Sequence, residues 1–303
     1  MSERSDPSPL VSVILLACQQ PVYLNEALRS IAQQTYPASS IEILIIDDRS
    51  DEGCIAQYRL PPHAQLIVNE RREACAAISR NRALRAARGR YVAFLDQDDL
   101  WLPEKLAIQV AALEAAPEAI LHSTHYTRVG DDLRPLARQY APALMERDPL
   151  KPLLRRNWVC YSAVMMRREA LDKLGGFDES IRGAADWDMW LRAAAAGRCI
   201  GDARSQVLYR QHEQQWSRDQ VFIARGAAAV TGKAALWLAE RRPALVPLAR
   251  RRHARWLREL ARAQLAAGQH SAETLSVLRD SARLAPFDPR TYGLMWRASR
   301  LQT

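Results

Sequence analysis

The segment Tyr91-Val92-Ala93-Phe94-Leu95-Asp96-Gln97-Asp98-Asp99-Leu100-Trp101 runs a fully apolar strand into three carboxylates, and a helix start follows at Pro103. Three unpaired carboxylates repel one another and raise each other's pKa, so a bound cation is the simplest explanation for the crowding. The carboxyl end of a parallel strand is also where open α/β sheets place their ligands. The segment therefore predicts a divalent metal holding a phosphorylated ligand.

Working outward, strand and helix patterns alternate. Apolar runs predict strands at 10–17, 41–46, 66–68 and 91–95, with helices at 23–34, 76–88 and 103–116 between them. A further strand is expected over 159–166, a turn at Gly175-Gly176-Phe177-Asp178, a helix over 184–196 and a short strand over 205–210. This order predicts an α/β fold with a mostly parallel sheet flanked by helices. Beyond about Val221 the texture becomes rich in Ala, Arg, Leu and Trp, with breaks at Pro243, Gly268 and Pro286, which predicts a helical appendage. The expected organisation is a flexible N-terminus (1–9), an α/β domain (10–220) and a helical C-terminal region (221–303).

The 303 residues carry a formal charge of +9, nearly all of the basic side being arginine, since only Lys105, Lys151, Lys173 and Lys233 are lysines. Such a balance suits nucleic acid, an anionic membrane surface or phosphorylated substrates. No RNP motif or Cys/His finger is present, so no nucleic-acid partner is expected. Five scattered cysteines without Cys-x-x-Cys read as reduced thiols. The polar, proline-bearing start is not expected to act as a signal peptide, and no apolar run near the length of a membrane span stands out. A cytoplasmic protein is expected, peripheral at most to the inner face of a membrane.

The turn after the first strand, Ala17-Cys18-Gln19-Gln20-Pro21, contains neither a dinucleotide glycine fingerprint nor a P-loop. Phosphate must be anchored otherwise, and magnesium held by one or two carboxylates, with phosphate and water completing its shell, suits Asp-x-Asp.

Several segments in order, Val11 to Ala17, Ser30 to Pro37, Ile41 to Gly53, Ser79 to Leu84, Gly89 to Pro103, Gly175 to Glu179 and Ala185 to Arg192, resemble family 2 glycosyltransferases of the GT-A fold over residues 10–217. The resemblance implies an inverting enzyme that moves a sugar from a nucleotide-diphospho-sugar, a UDP-sugar first, to a hydroxyl of a glycan or lipid-linked acceptor in cell-surface polysaccharide synthesis, with Mg²⁺ or Mn²⁺. It makes Asp98 a metal ligand, sets Asp96 against the ribose or the metal, and lets His212 reach the diphosphate or complete the metal shell. Ala17, Asp48 (in preference to Asp47), Arg80 and Asp96 are the implied nucleotide-binding residues. Asp186 is the implied general base, a task that suits a carboxylate because the acceptor hydroxyl loses its proton as the new bond forms. Trp101, Trp187 and Asp188 are assigned to the acceptor or sugar pocket, with Asp188 also placed to pair with Arg192 at i,i+4.

The chain departs from the family pattern in two places. Ala185 replaces a glutamate before Asp186, and the approach to Arg80 reads Arg71-Arg72-Glu73-Ala74-Cys75-Ala76-Ala77 where glycines are usual, which predicts a stiffer loop. The blander readings are an acidic turn in which Asp99 caps the following helix or pairs with Lys105, an Asx turn at Asp48, helix N-capping by Asp186 and core roles for the tryptophans. Rival functions are a sugar-nucleotide nucleotidyltransferase and a non-catalytic glycan- or membrane-binding relative. In the C-terminal region, Arg241, Arg242, Arg250 to Arg252, Arg255, Arg258 and Arg262 alternate with Leu245, Leu248, Trp256, Leu257 and Leu260. That pattern is expected either to hold an anionic membrane or to pack, on the domain or in a homodimer.

Overall fold

A computed structural model describes residues 11–73, 75–140, 148–269 and 272–300; the expected flexible segment 1–9 lies outside them. The strands are β1 (Val11–Ala17), β2 (Ile41–Asp47), β3 (Ala64–Val68), β4 (Tyr91–Asp96), β5 (Leu100–Trp101), β6 (Ala119–Val129), β7 (Pro135–Tyr140), β8 (Val164–Arg167) and β9 (Arg198–Arg210). The helices are α1 (Pro21–Ala32), α2 (Glu52–Ile55), α3 (Ala76–Ala86), α4 (Lys105–Ala115), α5 (Leu150–Arg155), α6 (Arg168–Lys173), α7 (Ala185–Ala196), α8 (Gln220–Arg241), α9 (Val246–Ala266), α10 (Ala272–Leu284) and α11 (Pro289–Arg300).

One sheet runs β3-β2-β1-β4-β8-β6-β9-β5, with β7 paired to β6. The half formed by β3, β2, β1 and β4 is parallel, as expected from its crossovers. The other half is mixed: β8 is antiparallel to β4 and β6, and β5 to β9, while β6 and β9 are parallel. Both faces of the parallel half are covered, which explains strands that are apolar at every position. Val13, Leu15, Ile43, Ile45, Ala93 and Leu95 pack with Leu24, Leu28 and Ile31 of α1 and with Leu106, Val110 and Leu113 of α4. The alternate residues Ile14, Leu44, Ile46 and Phe94 are equally buried, and α3 lies against β1 and β2.

A polar clasp closes the other end of these strands. The buried Glu42 carboxylate accepts from Ser12 Oγ, from the Arg88 amide at 2.6 Å and Nε at 3.0 Å, and from the Gly89 amide at 3.1 Å. Gly89 is required there because a Cβ would stand 2.6 Å from the Ser12 nitrogen. Burial raises the Glu42 pKa, and these hydrogen bonds bring it to a net value below the usual range.

The chain divides into two compact units: 1–149, 158–177 and 192–212 form the first, and 150–157, 178–191 and 213–303 the second. The second therefore recruits α5 and most of α7 from within the α/β stretch. In it α9 packs on α8, α10, α11 and α5. By length and composition α8 could cross a membrane, an outcome the sequence reading did not anticipate, but 44% of its most apolar window is buried. Its Lys233 also meets Asp178 at 2.7 Å and Asp188 at 2.9 Å.

Candidate active site

Register gathers the candidates of the first unit. Ala17 pairs with Asp47 across β1 and β2, and Leu16 pairs with Asp96 across β1 and β4. Three separate sequence motifs thus end side by side at one edge of the sheet. Crosslinks then fix the loops that follow. The Asp48 amide donates to the Ala17 carbonyl at 2.9 Å. The Gln97 carboxamide clamps Cys18, accepting from its amide at 2.8 Å and donating to its carbonyl at 3.1 Å.

The two aspartates at the end of β2 differ in burial and partners. Asp47 is fully buried and accepts from the Ser50 amide at 2.6 Å, Ser50 Oγ at 2.7 Å and Tyr58 Oη at 2.6 Å, so it fixes the turn. Asp48 is half-buried, and its Oδ1 accepts from Asn69 Nδ2 at 3.0 Å and from the Glu73 amide at 2.9 Å. The glycine-poor loop at Arg71 to Glu73 thereby folds back onto Asp48.

The three acids of the turn differ in role. Asp96 meets Arg80 Nη2 at 3.4 Å, and that guanidinium lies 3.7 Å above the centre of the Tyr161 ring. Asp98 Oδ2 is 3.0 Å from His212 Nε2. Asp99 neither caps α4 nor pairs with Lys105. It is fully buried, accepting from Ser162 Oγ at 2.6 Å and from the Arg210 amide at 3.0 Å. Burial, with the like charges of Asp98 and Asp96 beside it, holds the Asp99 carboxyl well above the usual range. Lys105 is buried with its Nζ 3.7 Å from the Trp101 ring centre, and burial pushes its ammonium well below the ordinary value.

Arg210 and Ser162, which no motif singled out, brace the turn. Arg210 Nε donates to the Asp98 carbonyl at 2.9 Å, Nη1 donates to the Asp131 carbonyl at 3.0 Å, and Nη2 pairs with Glu26. Ser162 Oγ also accepts from the Asp96 amide at 3.0 Å. Part of the positive charge that the acidic turn demands is therefore supplied by arginines.

The second unit holds the remaining candidates. Asp186 lies in the first turn of α7, where the helix dipole favours a carboxylate, and its Oδ2 accepts from Asn157 Nδ2 at 3.0 Å. Since α7 begins at Ala185, Asp186 is inside the helix and is not its N-cap. Three pocket assignments are corrected by burial. Trp187 is 2% exposed, donates to the Leu153 carbonyl at 2.9 Å and meets Trp256 edge-on. Trp101 is 3% exposed and donates to the Ser162 carbonyl at 2.8 Å. Asp188 is 1% exposed and held by Lys233. All three are framework residues, with no face left for a sugar.

Among the described residues, no three histidine, cysteine or acidic side chains converge as a ready-made metal centre. Asp96 pairs with Arg80, and Asp98 with His212. One hard carboxylate beside an imidazole fits a cation that takes its remaining ligands from phosphate and water, as Mg²⁺ and Mn²⁺ do.

The profile of "Glycosyl transferase family 2" matches residues 12–175, more than half of the 303, and the chain belongs to that family. It is 31% identical over 193 residues to the putative teichuronic acid biosynthesis glycosyltransferase TuaG of Bacillus subtilis, covering 62% of this chain and 73% of that protein. An uncharacterized glycosyltransferase of Methanocaldococcus jannaschii is 28% identical over 193 residues, and the match spans 65% of its length and 62% of this chain. Among solved structures, residues 1–349 of Staphylococcus aureus TarS with UDP superpose with a TM-score of 0.65 at 18% identity, covering 96% of this chain and 87% of that one. The mannosyltransferase PcManGT of Pyrobaculum calidifontis, with GDP-Man and Mn²⁺, gives 0.63 at 22% identity, covering 97% and 85%. The expected GT-A fold is the one found.

Proposed function

We propose that the chain is an inverting glycosyltransferase that takes a nucleotide-diphospho-sugar, first a UDP-sugar, and transfers the sugar to a hydroxyl of an envelope glycan or lipid-linked acceptor. The observation that carries this reading is the register that sets Ala17, Asp47 and Asp96 side by side, with Asp48 and the Asp98–His212 pair on the loops they open. The donor class is supported by the UDP and GDP-Man named with the two solved relatives. The acceptor class is supported by TuaG and by WfaP of Escherichia coli, 34% identical over 120 residues (39% of this chain, 46% of that protein) and named for transfer from UDP-Glc to α-D-GlcNAc-diphosphoundecaprenol.

In this reading Asp48 and Arg80 hold the nucleoside end of the donor. A carboxylate accepting from a uracil N–H discriminates because an unpaired acceptor is costly. Asp98 and His212 would hold Mg²⁺ or Mn²⁺, which when bound supplies Lewis-acid stabilisation of the leaving diphosphate. Asp186, oriented by Asn157, takes the proton of the acceptor hydroxyl as that oxygen attacks the anomeric carbon. The bond to the diphosphate breaks from the opposite face, and a single displacement inverts the centre. Screening nucleotide sugars for Mn²⁺-dependent thermal stabilisation, then assaying hits for hydrolysis and transfer, tests the proposal. Stabilisation only by a nucleoside triphosphate, with diphosphate release in the presence of a sugar 1-phosphate, would replace it with a nucleotidyltransferase.

A further inference from the structure

The arginine-rich pattern of α9 separates into two faces in the folded second unit. Its apolar members are packed: Leu257 and Leu260 are buried, and Trp256 meets Trp187. They are not available to a lipid surface. Arg251, Arg255, Arg258 and Arg262 instead follow one helical stripe along the wall of a cavity of about 1070 Å³. Arg155 from α5, Arg252, and Arg290 beyond the α10–α11 turn complete the basic lining, so seven arginines face only two carboxylates, Glu259 and Asp288.

Those two acids are already committed. Asp288 pairs with Arg258 at 2.6 Å and with Arg290 at 2.9 Å, and Glu259 pairs with Arg262 at 2.6 Å. Among the described residues, Arg155, Arg251 and Arg255 have no ion-pair partner, and the buried Nε atoms of Arg252 and Arg258 have no hydrogen-bond acceptor. Burial lowers the Arg252 and Arg258 pKa values, and nearby arginines add to this while Asp288 opposes it at Arg258. At one rim Leu284 and Pro286 flank Phe287, a residue 96% exposed.

A concave site with surplus guanidinium groups, orphaned buried donors and an aromatic rim is built for a multivalent oxyanion joined to an apolar group. We propose that this cavity binds a diphosphate, or two adjacent phosphate groups, carried on an organic moiety that rests against Leu284 and Phe287. The inference stands on the second unit alone and is independent of the donor site.

The test is calorimetric titration of the full chain with inorganic diphosphate in chelator-containing, low-salt buffer, where no divalent cation can recruit it to Asp98. Binding is expected, and it should weaken at least roughly tenfold in Arg251→Gln/Arg255→Gln, which removes two exposed, unpaired guanidiniums. Arg155→Gln should weaken it in the same direction, and Asp98→Asn should leave it unchanged. Sedimentation with phosphatidylcholine vesicles, with and without phosphatidic acid, identifies the source. Arginine-dependent capture by the anionic vesicles assigns the site to a lipid headgroup, and diphosphate binding without capture assigns it to a soluble phosphorylated ligand. Absence of diphosphate binding, undiminished binding in the arginine variants, or its loss in Asp98→Asn would overturn the proposal.

Discussion

His212 Nε2 lies 3.0 Å from Asp98 Oδ2, so the loop that follows the last strand of the sheet is tied to the acidic turn at the end of β4. The 5.0 Å approach of the Tyr23 and His212 rings steadies the imidazole from the α1 side. Replacing His212 by Phe keeps the ring packing and removes the nitrogen. The expected result is roughly 10–100-fold weaker Mn²⁺-dependent donor binding, with little change in melting temperature. Calorimetric titration of UDP at fixed Mn²⁺ reads it.

Ser162 links Asp99 and the Asp96 amide through one hydroxyl. Ser162→Ala leaves a buried acceptor and a backbone donor without that partner, and should cost about 1–3 kcal/mol in urea denaturation. A change below a few tenths would mean that the turn is held mainly by Arg210.

The two acids of α7 should separate cleanly. Asp186→Asn should lower transfer by roughly 10²–10⁴ with donor affinity unchanged. Asn157→Ala should reduce kcat in the same direction, more modestly, without moving the donor KM. Asp188→Asn should act on stability through Lys233. A larger loss of kcat in Asp188→Asn than in Asp186→Asn would exchange their roles.

The Lys233 ion pairs make acid sensitivity predictable. Burial raises the Asp178 pKa, but the Lys233 ammonium and two hydrogen bonds from Ser180 bring it down to about 2, against about 3.9 for a free aspartate. A carboxylate with a depressed folded pKa stabilises fully above the unfolded value and loses that contribution as pH falls from about 4 towards 2. The pair should be worth on the order of 1 kcal/mol, since solvent screens it. Lys233→Met should therefore be less stable than the parent at pH 7, with the difference shrinking between pH 4 and pH 2 in parallel denaturation curves.

What was legible in the sequence was what repeats locally. The apolar runs at Val11, Ile41 and Tyr91 announced β1, β2 and β4 because both of their faces are covered. Strand β6 escaped because His122, Ser123, Thr124, His125 and Thr127 break the apolar run, although it is a long internal strand. The expected strand over 159–166 shortened to β8, preceded by a 3-10 turn at Tyr161–Ala163 that brings Ser162 to the site. The sequence set Asp99 apart from Asp96 and Asp98 as a structural acid, but its partners Ser162 and Arg210 meet it only through tertiary contacts, so a helix cap or Lys105 was expected in their place. Burial likewise decided the tryptophans: helical spacing could not say which side of α7 Trp187 occupied.

In the proposed function, Asp98 anchors the donor diphosphate through a divalent cation. Titrating UDP into the parent chain and into Asp98→Asn, each with Mn²⁺ and with excess chelator, measures it directly. Binding is expected only for the parent with Mn²⁺, with both proteins melting within a few degrees of each other. Equal UDP affinity in chelator, or full Mn²⁺-dependent affinity in Asp98→Asn, would contradict it.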